Sequence, residues 1–174
     1  MKAVFKAGFI LLACALTSIQ NATAQPANSP CSSENAAAGT QTLHCGGGVT
    51  IVAENGARFT LQTRGRKGQV AGVELAGKAL LIEVPAKSGG NKFQVTTPQA
   101  IAGVRGTKWA VDVAENKTSV FVVDGRVAVG HRAPSRGVTL GTGEGVDVEE
   151  GSAPLTVKRW APARVSALMA RLGQ

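Results

Sequence analysis

The 174-residue chain contains no tyrosine, and aromatic residues make up only 4% of it. Surfaces that stack bases or sugars are built on aromatic rings, so those roles have little to stand on. Histidine is scarce as well, with two residues, and there are three cysteines. Acidic side chains number 11 against 19 basic ones, a net charge of +8. Hydrophobic residues reach 44% and charged ones 17%, which is too apolar for a wholly disordered chain. What is abundant is glycine, 22 residues without a three-residue period. That excludes a collagen-like rod and points to many turns and short strands. The length suits one domain of about 100–150 residues plus flanking segments.

Residues 1–24 read as a secretory signal. Lys2 and Lys6 give a basic start, Ala7 to Ile19 is mostly apolar and uncharged, and Ala22-Thr23-Ala24 is a small-x-small cleavage site. The apolar stretch is shorter than the ~20 residues of a membrane span. An uncleaved anchor, or a lipoprotein through Cys14, fits less well; Leu12 before Cys14 departs from the small-residue pattern. Cleavage would start the mature chain near Gln25 and place it in the periplasm, with no transmembrane anchor. It removes Lys2 and Lys6 and no acid, so the net charge of +8 falls to +6. An exported chain is not expected to meet nucleic acid. Its basic groups are dispersed except for Arg64, Arg66 and Lys67. That run is either a solvated loop or a contact for phosphate or anionic glycan.

Cys14 leaves with the signal, so Cys31 and Cys45 remain. In an oxidising compartment two cysteines are expected to pair. A zinc site with His44 would need a fourth ligand, and His131 lies far off in sequence. Residues 25–45, rich in Ala, Ser, Asn, Pro and Thr, read as a polar leader strapped on by that disulfide.

Residues 46–150 show period-2 alternation, as in Arg58-Phe59-Thr60-Leu61-Gln62, which buries one face of a strand. Leu80-Leu81-Ile82 and Val120-Phe121-Val122-Val123 are continuous apolar runs, expected in strands covered on both faces. Asn55-Gly56 and Asp124-Gly125 each sit between such runs and predict type I′ hairpins. Ala76-Gly77-Lys78, Ser88-Gly89-Gly90-Asn91 and Glu115-Asn116-Lys117 read as loops. In the tail, 151–174, Val165, Leu168, Met169 and Leu172 form one stripe of a short amphipathic helix opened by Pro162. The helix either caps the sheet or docks on a partner. The fold expected is all-β, with short antiparallel strands and one short C-terminal helix.

No catalytic constellation stands out. Gly141-Thr142-Gly143-Glu144-Gly145 is followed by an alternating strand, so it lacks the helix N-terminus of a phosphate loop. No Gly-x-Ser-x-Gly elbow is present. Glu149 and Glu150 are adjacent and would point to opposite faces of a strand. These observations point away from an enzyme, and no metal or cofactor is expected.

The most specific stretch runs from Phe93 to Gly125. Thr97-Pro98 is followed by Val104-Arg105-Gly106-Thr107, then Trp109, then a strand ending at Asp124-Gly125. Pro98 should end the strand before it, and Gly103 and Gly106 suggest a bulge or corner around Arg105. The Arg105 fork suits either an internal brace or a carboxylate ligand. Trp109, Val111 and Val113 share one strand face and read as core. Trp160, in a polar tail, reads as an exposed aromatic contact. This ordered pattern resembles the FecR domain family over roughly residues 46–148. The resemblance implies a solenoid-like or flattened β-sandwich domain in the periplasm. Its best-known members carry a cytoplasmic anti-sigma segment and a membrane helix, and take a signal from a TonB-dependent transporter. Neither segment is read here, so the expectation is a free-standing, non-catalytic module that binds another envelope protein in signalling or regulation. The alternative is a binder of envelope glycan or another anionic polymer through its basic loops.

Overall fold

The computed structural model describes residues 30–35, 39–65, 68–86, 92–133 and 136–174. The segment read as an export signal, Cys14, Arg66, Lys67 and the segment Ser88–Asn91 read as a loop lie outside the described residues. The fold is all-β. Thirteen strands form one curled, mixed sheet, and one helix follows them among the described residues.

Alternation decides which side chains enter the core. Strand β5 (Gln69–Val84) is the spine, and its two halves belong to different layers. The first layer contains β1 (Cys31–Asn35), β2 (Gln41–Cys45), β3 (Thr50–Ala53), the second half of β5, β8 (Thr107–Ala114), β9 (Lys117–Asp124), β12 (Glu144–Glu149) and β13 (Lys158–Arg159). The second layer contains β4 (Arg58–Arg64), the first half of β5, β6 (Phe93–Thr96), β7 (Ala100–Val104), β10 (Arg126–His131) and β11 (Val138–Gly141). All pairs are antiparallel except β5 with β6. The layers enclose one core, in which Ile51, Val73, Leu75, Ile82, Val95, Trp109, Val111, Leu140 and Val148 are fully buried. Trp109 thus occupies the core position its strand pattern implies.

The two predicted hairpins do not form. β3 and β4 flank Asn55-Gly56, yet both pair with β5, β3 along its second half and β4 along its first. Likewise β9 pairs with β8 and β12, and β10 with β7 and β11. Asn-Gly and Asp-Gly here turn the chain from one layer to the other. Gly56 and Gly125 have positive φ (75° and 95°), but Asn55 and Asp124 do not, so neither turn is type I′. The physical cause is competition between partners. Each strand buries its apolar face by pairing within its own layer, and a local two-residue turn cannot outweigh that.

Two more expectations change. Ala76-Gly77-Lys78 lies inside β5, at the place where that strand leaves one layer for the other. Lys78 has φ 69°, and the register with β4 shifts between Arg58 and Phe59. Nor is the 25–45 segment wholly a leader, because β2 pairs with β3 and Leu43 lies in the core. The tight hairpin is instead at Glu115-Asn116, where Ala114 faces Lys117 and Glu115 takes φ 49°.

The helix α1 (Pro162–Arg171) forms as its apolar stripe predicts, and it packs on the outer face of the first layer. Leu168 and Leu172 enter a second apolar cluster with Ala79, Leu81, Ala110 and Phe121. This is why Leu81 and Phe121 belong to continuous apolar runs: their strands are covered on both faces.

Cys31 and Cys45 form a disulfide across the directly opposed positions of β1 and β2. β1 has no other strand partner among the described residues. Opening a loop of about 15 residues should cost about 3 kcal/mol in the chain-entropy picture. A Cys31→Ser/Cys45→Ser variant is therefore expected to unfold at a clearly lower urea concentration. An unchanged midpoint would show that the hairpin contributes nothing to global stability.

Candidate interaction surfaces

The Thr97-Pro98 part of the signature is a turn with a buried polar core. Thr97 is the first residue of the turn joining β6 to β7, Pro98 is the second, and the Thr97 N–H donates to the Ala100 carbonyl at 2.9 Å. The Ala100 N–H donates back to Thr97 Oγ1 at 2.9 Å. Thr118 Oγ1 donates to Gln99 Oε1 at 2.8 Å and lies 2.8 Å from Thr97 Oγ1, whose own proton also reaches the Ala100 carbonyl at 3.2 Å. Thr97, Gln99 and Thr118 are all buried. With the Thr118 proton on Gln99, Thr97 shares its proton between Thr118 and the Ala100 carbonyl, and the network pins the β6–β7 turn to β9 in the other layer.

The second part of the signature is the corner from β7 to β8. Gly106 has φ 65°, and a β-carbon there would lie 2.7 Å from the Ala86 backbone. Thr107 Oγ1 donates to the Arg126 carbonyl at 3.0 Å, and Gly125 packs directly on Gly106 and Thr107. The Val104-Arg105-Gly106-Thr107 and Asp124-Gly125 motifs, distant in sequence, are therefore two corners stacked on each other. Val104 is core, and Arg105 is exposed at the corner.

Trp160 corrects an expectation. It is 8% exposed, not a free surface aromatic. Its ring stacks on Phe121 with centroids 5.1 Å apart, and the Arg164 guanidinium lies 3.5 Å above it. Gly145 makes room for the indole, since a side chain there would collide with it. The polar tail hid this role because the partners are supplied by β9 and α1. Arg64, at the end of β4, is exposed as expected.

Two arginines clamp α1 to the first layer. Arg171 holds two carboxylates. It donates to both oxygens of Asp112 at 2.8 and 2.9 Å, and to both oxygens of Glu54 at 2.6 and 3.1 Å. These bonds, from Asp112 and then Glu54, push the guanidinium even further toward its charged form. Glu54 also accepts the Ala79 N–H at 2.9 Å, beside the bend of β5. Arg164 donates to both oxygens of Asp147, which also accepts from Ser119. Burial alone would raise the Asp147 carboxyl, but the bonds from Arg164 and Ser119 and the nearby charges of Arg164 and Lys117 outweigh it and hold the group low.

His131 donates from Nε2 to the Ala153 carbonyl at 2.8 Å, tying the 151–157 segment over the open end of the core, where Leu155 and Val157 pack. A cleft of about 210 Å³ lies there, between this segment and β12. The larger depression, about 710 Å³, is on the outer face of the second layer, among β6, β7, β10 and β11. Among the described residues no group of three or more His, Cys, Asp and Glu converges. No described helix is long and apolar enough to cross a membrane.

The profile of the family described as FecR protein matches residues 35–128, more than half of the chain. The chain belongs to the FecR family. Two crystal structures of a "putative anti-sigma factor" from Parabacteroides distasonis ATCC 8503 share the fold, each with a TM-score of 0.61. Identity is 20% and 19%, over 79% and 80% of this chain. The FecR-family chain spans 64% of the length of that protein. Among curated proteins, none matches.

Two outcomes are expected for this FecR-family chain. Thr118→Val removes the relay between Thr97 and Gln99 and leaves buried groups unpaired, so urea unfolding should register a loss of about 1–3 kcal/mol. A loss near zero would mean that the network reorganises around water. The second concerns pH. Asp147 titrates lower in the folded state than its ordinary value of 3.8, so its contribution is present above that pH and fades as pH falls through the folded value. Asp147→Asn should therefore narrow the gap to the parent protein as a thermal-melt series descends below about pH 4. A gap independent of pH would refute the linkage.

Proposed function

We propose that the chain is a non-catalytic periplasmic module that binds another protein in envelope signalling or regulation. The family match over residues 35–128 carries the reading. A regulatory setting also agrees with the name of its structural neighbours. The disulfide and the basic, apolar, small-residue order of residues 1–24 support export. Within such a module the two stacked signature corners and the Thr97–Thr118 relay hold the strands in register, and recognition falls to the exposed faces and edges.

Photo-crosslinking residues placed singly at exposed positions on each face, in cells, test this reading. The expected result is a discrete protein adduct from one face and not from the others, in a protein whose mature N-terminus lies near Gln25. Absence of any protein adduct from every face would overturn the reading. Adducts only to envelope glycan would replace it with the glycan-binding one.

A further inference from the structure

The two outer faces of the sheet differ in how their charges are balanced. On the first layer four cations are matched by acids, Arg164 by Asp147, Arg171 by Glu54 and Asp112, Lys108 by Glu83, and Lys78 by Glu54, while Lys117, Lys158 and Arg159 have no ion pair among the described residues. That face is also covered by α1. On the second layer Lys92, Arg105 and Arg126 line the open groove, and no acidic residue lines it.

Register places these three cations side by side. Val104 on β7 faces Phe93 on β6 and Val127 on β10. The next outward position on each strand is Lys92, Arg105 and Arg126, and all three are exposed. Neighbouring strands are ~4.8 Å apart, and like charges directly opposite one another destabilise a sheet. Neither Lys92 nor Arg126 has a carboxylate partner among the described residues. Glu144 of β12 stands at the β11 end of the row, where its Oε2 accepts the N–H of Gly141, the residue in register with Arg126, at 2.7 Å; Glu74, on the same layer, pairs with Thr96, two outward positions along the strands. Asp124 is in register with Lys108 on the other layer. A groove that places Lys92 and Arg126 on either side of Arg105, with a carboxylate only at its β11 end, is an arrangement that an incoming anion would stabilise.

Beyond this row the middle of the groove floor carries small residues, Gly103, Ala128 and Gly130, flanked by Gln94, Ile101 and Thr139. Gly103 faces Ala128, Ala128 faces Thr139, and Gly130 faces Ile101. A floor of this kind lets another backbone lie close against the sheet. No Trp, Phe or Leu lines the groove, and its partly exposed apolar side chains are Ile101 and Val138, so there is no ring to stack a sugar and no aromatic anchor for a bilayer. We infer that the outer face of β6, β7, β10 and β11 is a docking surface for an extended, acidic segment of a protein partner, with its carboxylates on Lys92 and Arg126. The inference rests on the protein-binding reading above and assigns it a face and a partner chemistry.

The test uses the protein purified from cells, isotope-labelled, and a soluble peptide of alternating Glu and Ala, with the Gln-Ala peptide as its neutral counterpart. The Glu peptide is expected to shift the amides of Gly103, Ala128, Gly130 and Thr139, and the Gln peptide is not. Arg126→Glu should weaken binding roughly tenfold, and so should higher salt, which screens the row. Ala128→Trp, which fills the floor without altering charge, should also weaken it. Arg64→Glu, a charge reversal elsewhere on the surface, should leave it unchanged. Far-UV circular dichroism of each variant confirms that it folds. Shifts absent or centred away from β7 and β10 would overturn the proposal. So would tighter, same-face binding of phosphatidylglycerol vesicles or dextran sulfate. Cellular adducts from another face, with none from Ala128, would refute this surface and leave the protein-binding reading standing. No adducts from any face would remove both.

Discussion

The fold depends on a single strand serving two layers. β5 pairs with β4 and β6 in its first half and with β3 and β8 in its second. Everything else is arranged by which half it joins. The change of layer is made at Ala76-Gly77-Lys78, and it is held from outside by Glu54. That carboxylate accepts the Ala79 N–H and the Arg171 guanidinium, while the Glu54 N–H donates to the Ala79 carbonyl. One side chain thus braces the bend of the spine and the end of the helix. It is only 12% exposed and its two oxygens share three donor atoms, so it combines partial burial with the pairing that burial demands.

Layer changes elsewhere use glycine. Gly56, Gly106, Gly125 and Gly143 each take positive φ at a point where the chain passes from one layer to the other. At Gly106 and Gly125 the two crossings touch, which links the middle of the signature to its end. The abundance of glycine therefore reflects repeated crossing between layers more than hairpins. The consequence for the outer surface is an asymmetry. The first layer is closed by α1, Trp160 and paired ions. The second keeps an open face with a cationic row.

Much of this was legible locally. Alternation in Arg58–Gln62, the apolar runs at Leu80–Ile82 and Val120–Val123, the stripe from Val165 to Leu172 and the core position of Trp109 all follow from side-chain period and hydrophobicity. What failed depends on contacts distant in sequence. Asn55-Gly56 and Asp124-Gly125 carry strong local hairpin signals, but the pairing of β3 with β5 and of β10 with β7, each across more than 20 residues, decided otherwise. Ala76-Gly77-Lys78 looked like a break because nothing nearby shows that Glu54 stabilises a bend there. Trp160 sits among polar neighbours, while Phe121 and Gly145, which receive it, precede it by many positions. The cationic row was hidden for the same reason: Lys92, Arg105 and Arg126 become neighbours only through strand register. The Thr97–Thr118 relay could have been sought from its family motif, since a Thr before Pro at a turn invites a local backbone bond, but its second half needs β9.

Near the end of the chain, Gly173 turns with φ 70° and lies against Thr40, just ahead of β2. The stretch of chain from β2 to the end of α1 therefore begins and ends at one spot, while β1 lies ahead of it on the edge of β2 opposite β3. Force or tethers applied at these two points would act on the same small region of the first layer. The load would not be drawn across the sandwich, and the open face of the second layer would stay outside the line of tension.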